Sequence, residues 1–371
     1  MKNKILVISA HRGSTSWQRM LKSLNSDKEF EVSEFYSFND NDYRTTDPVK
    51  RILIRIKTFI FFPLKIFFKS KKYFSSFSKI IVVTSPFFLP YIVLRKLYNK
   101  QIIVLYNDLY PNALEAKKII RQGGIISKFI KRMNSYSFER ASNSIFINEA
   151  LLEYCLNNYK TLTNYKIINV PAHSNSNLDN SIEKNYSKID LIYSGTLGYL
   201  HDPRLLIKYL YKNKINSKLK FTFITSGVRK LDFEKEINKN FSKEINEKKI
   251  ELLNPLDDNI WEKVMLKSHI GIVFQDQNAN DVLFPSKVAS MLVSGQAILA
   301  ITSKSSYLGK LIINNDLGWV AENFENLELA FDELSSIKLL KKKIKNAYLY
   351  GINNFSYEKI YSKWKEILLA K

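Results

Sequence analysis

One cysteine in 371 residues, Cys155, excludes an internal disulfide and a cysteine-rich metal site. The four histidines, His11, His173, His201 and His269, are scattered without any metal-ligand spacing, so a histidine metal centre is not expected. The first residues, MKNKILVIS, are charged and then strand-like, which does not fit a secretory leader, and a cytoplasmic protein is expected. Acidic residues are missing between Asp47 and Asp108. A membrane span needs about 20 mostly apolar residues. In 49–74 Lys and Arg recur too often to supply one, and the longer uncharged run 80–94, with two prolines, reads as a buried strand plus a helix start.

What remains is a packed, basic chain. Hydrophobic residues at 45% and aromatics at 13% exclude a disordered protein, and the length suits two domains better than one core. Lys and Arg number 57 against 35 Asp and Glu, a formal charge of +22, so an anionic partner is expected. Nucleic acid, anionic lipid and phosphorylated small molecules all qualify. No RRM, OB, KH or helix-turn-helix signature occurs, and the basic excess sits beside Ile and Phe, which disfavours nucleic acid.

Apolar runs at 4–9 (KILVIS), 30–37, 79–86, 101–111, 144–150 and 166–177 read as strands, with helical patterns between most of them. The stretch 172–188, AHSNSNLDNSIEKNYSK, has no apolar period and reads as a linker. The alternation then resumes with strands at 189–195, 219–227, 248–256, 269–275, 296–302 and 317–321. The chain closes on an amphipathic helix, YEKIYSKWKEILLA. Strands alternating with helices imply parallel sheets covered on both faces. The expected fold class is therefore α/β, with two Rossmann-like domains at 1–172 and 189–352, a linker at 173–188 and a terminal segment at 353–371.

The segment FPSKVASMLVSGQAILA (284–300) follows a strand and a polar loop. A helix is expected to start at Pro285, where a missing N–H costs nothing. The free N–H groups of a helix start favour an anion, to which Ser286 adds a hydroxyl and Lys287 a charge. The glycine loops SGTLGYLHD and TSGVRK fall at the same carboxyl edge, where open α/β sheets bind ligands. The plain alternatives are an ordinary helix start and tight turns that need glycine.

With these motifs in place, the second half resembles the donor-binding domain of GT-B-fold glycosyltransferases, closest to glycosyltransferase family 4 of bacterial surface-polysaccharide (O-antigen and capsule) assembly. The resemblance is carried by YSGTLGYLHDPRLL, FTFITSGVRK, LNPLDDNIWEKVMLKSHIGIVF and FPSKVASMLVSGQAILAI, in that order, over roughly residues 190–320. YNDLYPNAL and SFERASNSIFIN resemble the acceptor domain more weakly. It implies two domains facing across a cleft, with the last helix crossing back to the first. It also implies a nucleotide-diphosphate sugar donor, UDP- rather than GDP-linked. Gly195, Thr196 and Gly198 would let the backbone approach that donor. Arg229, Lys230 and Lys287 would neutralise its diphosphate, with Pro285 and Ser286 beside it. The family's paired-glutamate motif is altered: its second position falls on Ser290 and its first near Val282. Asp276 or Asp281 would have to substitute at the ribose. Family enzymes retain anomeric configuration, and no cofactor is implied. Asp-x-Asp, the metal-holding motif of the other glycosyltransferase fold, is absent from this half, so metal-independent hexosyl or N-acetylhexosaminyl transfer is expected. The chain's one such triplet is Asp40-Asn41-Asp42, in the first half.

In the first half, VKRILIRIKTFIFFPLKIFFKSKKYF (49–74) mixes Arg51, Arg55, Lys57, Lys65 and Lys69 with Phe and Ile. An interfacial helix on an anionic membrane surface is one reading. A core helix with snorkelling lysines is the other. A membrane-facing domain implies a membrane-held acceptor, by resemblance a polyprenyl-diphosphate-linked saccharide, and a peripheral location on the inner face of the cell membrane. Asp108, after the strand QIIVLY, is the candidate catalytic base for the acceptor hydroxyl, or else a cap of the turn before Pro111. His11, Arg12 and Gly13 follow the first strand at the same edge and are the candidate acceptor-cleft residues. The competing readings are a GT-B nucleotide-sugar epimerase, which needs no membrane face, and a non-catalytic partner subunit, suggested by Ser290.

Overall fold

The computed structural model describes residues 2–12, 15–38, 48–116, 119–173, 184–198, 200–276 and 285–370. The chain divides into two compact units, one of Met1–Val170 with Ile360–Lys371 and one of Pro171–Lys359.

The first unit is built on a six-stranded sheet ordered β2-β1-β3-β4-β5-β6, every pairing parallel. Its strands are β1 (Asn3–Ile8), β2 (Phe30–Phe35), β3 (Lys79–Val83), β4 (Gln101–Tyr106), β5 (Asn143–Phe146) and β6 (Tyr165–Ile167). The second unit repeats the plan in the order β12-β11-β10-β7-β8-β9, again wholly parallel. Its strands are β7 (Ile189–Thr196), β8 (Leu219–Ser226), β9 (Ile250–Leu253), β10 (Ile270–Phe274), β11 (Ala297–Ile301) and β12 (Gly318–Ala321).

Helices on both faces explain the unbroken apolar runs. All five residues of β10 and all five of β11 are buried, as strands covered on two sides must be. The reverse holds for β2 at its sheet edge, where only Phe30 is buried. Gly271 of β10 lies under the helix Lys287–Val293: a Cβ there would stand 2.5 Å from the Met291 sulfur. That helix is held from its other side by the helix Ile337–Phe355, whose Gly351 leaves no room for a Cβ against the Leu292 backbone, 2.5 Å away. The 19-residue helix Ile337–Phe355 has no counterpart in the sequence reading.

The last helix, Tyr357–Leu369, packs into the first unit. Trp364 meets Trp17 edge-on at 5.4 Å between centroids. Tyr361 Oη and Lys365 Nζ both donate to Asp27 Oδ2, at 2.6 and 2.8 Å. These donors hold the Asp27 carboxyl well below the usual carboxylate range.

Two local expectations need correction. The helix expected from Pro285 starts two residues later, at Lys287, and is seven residues long, with Ser286 as its N-cap. Its Ser286 side chain makes no capping hydrogen bond, so the expected anion site cannot rest on a long helix dipole. The polar stretch read as linker also ends inside the fold. Lys184 donates to the carbonyls of Ser268 and Ser294, and Tyr186 packs edge-on against His269.

Candidate functional site

The second sheet's carboxyl edge gathers residues from four segments. Gly195, the last residue but one of β7, has a φ of +148° that favours glycine. After it, Leu197 N–H donates to Ser226 O at 2.7 Å, and Thr196 and Ser226 bring their hydroxyls within 3.2 Å. Gly227 follows β8 with φ +96°, and a Cβ there would lie 2.6 Å from Thr196 Cγ2 and 2.8 Å from Leu197 O. The two glycine loops are thus locked together by close backbone approach. Arg229 ties them further: its N–H donates to Leu197 O and its Nη1 to His201 O, both at 3.1 Å.

Lys287 enters this frame from the start of its helix. The residue as a whole is half-buried, but its Nζ has no contact with solvent and, among the described residues, no hydrogen-bond partner. The ammonium lies 4.0 Å from the Tyr193 ring centroid and 3.1 Å from where a Gly195 Cβ would stand. A side chain at 195 would therefore press on the cation. Desolvation pushes Lys287 down to about 7. A ring face offsets only part of what water gave the ammonium. Among the described residues no negative group meets the ammonium, and an anionic ligand would bring one.

His201 belongs to the same cluster, a role the sequence reading did not give it. Its Nδ1 accepts from Gly198 N–H at 3.1 Å, which leaves the proton of the neutral ring on Nε2. Burial, with Lys287 and Arg229 nearby, pushes it down to about 4, so it is neutral at pH 7. No spacing in the sequence marks it; the contact is the ring's return to the Gly198 N–H.

Other expected residues have other attachments. Lys230 is engaged by Asn254 Oδ1 and by Glu234, the latter at 3.7 Å. Pro285 and Ser286 sit at the helix entrance, half-buried and exposed. Ser290 is buried, and its Oγ accepts from His173 N–H at 2.8 Å. The His173 ring in turn meets Asp258 Oδ1 at 3.1 Å and stacks edge-on with Trp261. The altered glutamate position is therefore part of a packed joint. Asp276 follows β10, and its N–H donates to Leu200 O. Asp281 and Val282 lie outside the described residues.

In the first unit, Asp108 is half-buried just after β4, at that sheet's carboxyl edge. His11 and Arg12 follow β1 at the same edge, and His11 bridges to Phe38. Arg12 is committed to Glu34 at 3.0 Å, lies over the Tyr36 ring, and donates its N–H to Phe38 O. Gly13 and the triplet Asp40–Asp42 lie outside the described residues. The basic stretch forms a helix, Pro48–Ile56, a single π turn, Lys57–Phe61, and a second helix, Phe62–Phe68. Arg55, Lys57 and Lys65 are exposed, and Arg51 and Lys69 half-buried. Ile52, Leu53, Ile60, Leu64, Phe67 and Phe68 are exposed as well, Phe68 by 77%. Among the described residues, no helix is long and apolar enough to cross a membrane, and no cluster of His, Cys, Asp and Glu could hold a metal ion.

No family model matches the chain, and no curated protein matches it in sequence. Solved structures do match it over its full length. Sucrose-phosphate synthase from Thermosynechococcus elongatus aligns with a TM-score of 0.70 at 12% identity, over 99% of this chain and 98% of that one. HepE from Anabaena, solved in complex with UDP, gives 0.68 at 12% identity over 99% of each chain. A glycosyltransferase from Rickettsia africae gives 0.62 at 16% identity, over 99% of this chain and 98% of that one. These are GT-B glycosyltransferases, and the chain has the GT-B fold.

Proposed function

We propose that this protein is a metal-independent, retaining glycosyltransferase of the family 4 type. It takes a hexosyl or N-acetylhexosaminyl group from a nucleotide-diphosphate sugar, UDP- rather than GDP-linked. The observation that carries this reading is the Lys287 ammonium beside Gly195, without a hydrogen-bond partner among the described residues, at the carboxyl edge of a GT-B sheet. Breaking the bond to the anomeric carbon leaves negative charge on the diphosphate. A fixed cation that gains its partner only when that diphosphate is present stabilises this charge with little reorganisation. Arg229 braces the loops, His201 offers Nε2–H, and Thr196, Gly198 and Ser286 complete the donor side. HepE has been solved with UDP and with UDP-glucose, which supports the choice of base.

The acceptor in this reading is a polyprenyl-diphosphate-linked saccharide of surface-polysaccharide assembly, met at the inner face of the cell membrane. The support is the exposed apolar and basic helix pair at 48–68 and the acid-free sequence around it. Asp108 is the base for the acceptor hydroxyl. A second reading, a non-catalytic partner subunit, is favoured by one observation: Ser290 is engaged by the His173 backbone and offers no carboxylate.

Titration of the purified protein with UDP and with GDP, wild type beside Lys287→Ala, tests the donor site. UDP should bind, and the substitution should weaken it by 1 kcal/mol or more, as loss of a charged contact does. Binding by neither nucleotide sinks the donor reading. Binding without turnover, given UDP-sugars and membrane extract, selects the partner subunit.

A further inference from the structure

The first unit carries a second cavity of chemical interest. A crevice of about 380 Å³ lies between the segment after β2 and the basic helix pair, lined by Ser37, Phe38, Lys57, Phe61, Phe62 and Lys65. This is within the range of small-molecule sites, about 300 to 1,000 Å³. Its walls are aromatic rings, with Ser37 as the one uncharged polar side chain among the described residues. Lys57, Phe61 and Lys65 recur every four residues on one helical face, and the π turn Lys57–Phe61 lies within that face. Such turns are rare and collect at functional sites.

Both lysines are exposed, and among the described residues neither has a carboxylate partner within ion-pair distance. Lys57 Nζ lies 5.8 Å from the Phe38 centroid and Lys65 Nζ 5.3 Å from that of Phe35. The crevice is also firmly tied to the sheet. Ser37 N–H donates to Ala10 O at 3.0 Å, and Arg12 N–H to Phe38 O at 2.9 Å. The far end of the helix is held by Lys96, whose Nζ donates to the carbonyls of Ile66, Phe67 and Lys69.

We propose that this crevice binds the prenyl diphosphate of the acceptor, an inference that rests on the lipid-linked acceptor reading. The first isoprene units lie against Phe38, Phe61 and Phe62, and the diphosphate sits between Lys57 and Lys65. A nucleotide base would find almost no hydrogen-bond partners here. The two chains of a phospholipid need more room than about 380 Å³ provides. One flat, unsaturated chain ending in a multivalent anion matches both the rings and the two lysines that line the crevice. Phe38, on the crevice wall, bridges to His11, so the crevice adjoins the carboxyl edge of the sheet that also carries Asp108.

The test uses the full-length protein and farnesyl diphosphate, read by calorimetry. Farnesyl diphosphate should bind, with farnesol and inorganic diphosphate each at least tenfold weaker. Lys57→Ser/Lys65→Ser and Phe61→Ser, all at exposed positions, should each weaken it about tenfold or more. Unchanged farnesyl diphosphate binding in these variants overturns the proposal. So does a loss confined to phosphatidylglycerol vesicles, which would assign the lysines to the bilayer alone. Transfer of labelled sugar into membrane-extract lipid separates the two levels. Glycolipid formed by the variants at the wild-type rate, at every lipid concentration, removes the crevice and leaves the lipid-linked acceptor standing. Absence of any lipid product from wild type, with no farnesyl diphosphate binding, removes both.

Discussion

In the second unit, desolvation of the ammonium group pushes two lysines, Lys184 and Lys287, down to about 7 each. Their surroundings differ. Lys184 donates to the Ser268 and Ser294 carbonyls, which close the helices Asp258–Lys267 and Lys287–Val293, and Asp190 nearby favours its charged form. Lys287 has a ring face, a glycine and no hydrogen-bond acceptor among the described residues. Ser268 precedes β10, so Lys184 serves the amino edge of the sheet, while Lys287 stands at the carboxyl edge where α/β folds take ligands. A lowered pKa alone would rank the two equally. The inventory of partners separates a structural cation from one held ready for a ligand.

The largest expected difference is in nucleotide binding. Lys287→Met should weaken UDP at least tenfold, whereas Lys184→Met should leave it within about twofold, both read by calorimetry. Equal losses would make the comparison meaningless. A smaller effect sharpens it through pH. Free Lys287 is mostly neutral above pH 7, and a bound diphosphate favours the charged form, so binding must take up a proton there. UDP affinity should fall by up to about tenfold per pH unit above pH 7. At pH 8, titrations in buffers of different ionisation enthalpy should report uptake of close to one proton. That uptake should vanish in Lys287→Met and persist in Lys184→Met.

Much of this was legible in the sequence, for identifiable reasons. Both sheets are parallel and doubly covered, so β10 and β11 read as continuous apolar runs. Gly195 and Lys287 announce themselves by type, because only glycine tolerates the backbone at 195 and a lysine beside a strand end invites an anion. What the sequence hid depends on tertiary closure. His201 turns back on Gly198, Tyr193 supplies the face under Lys287, and Gly351 lets one helix press on another. None of these has a spacing signature. The helix start was misplaced at Pro285 because a favourable first-turn residue does not require the helix to begin there; the helical turn forms only at Lys287. Ser290 showed the departure from the glutamate motif, but not that the His173 backbone occupies its hydroxyl.

Stability should show the smallest and most telling contrast, because the two lysines should move it in opposite directions. Without ligand, a charged Lys287 raises the energy of the native state and not of the unfolded chain. Its native pKa of about 7 lies below the usual 10.5, so the unfolded chain holds more protons between those values. This residue's penalty is therefore full below pH 7 and fades as pH rises toward 10.5. Lys287→Met removes the penalty and should stabilise the free protein by about 1 to 3 kcal/mol at pH 6.5, with little gain near pH 10. Lys184→Met instead leaves two helix-end carbonyls without their donor and should cost about 1 to 2 kcal/mol. Denaturant melts of the ligand-free protein at both pH values read both effects. Should Lys287→Met destabilise, the ammonium has a partner in the native protein, and the case for a waiting diphosphate fails with it.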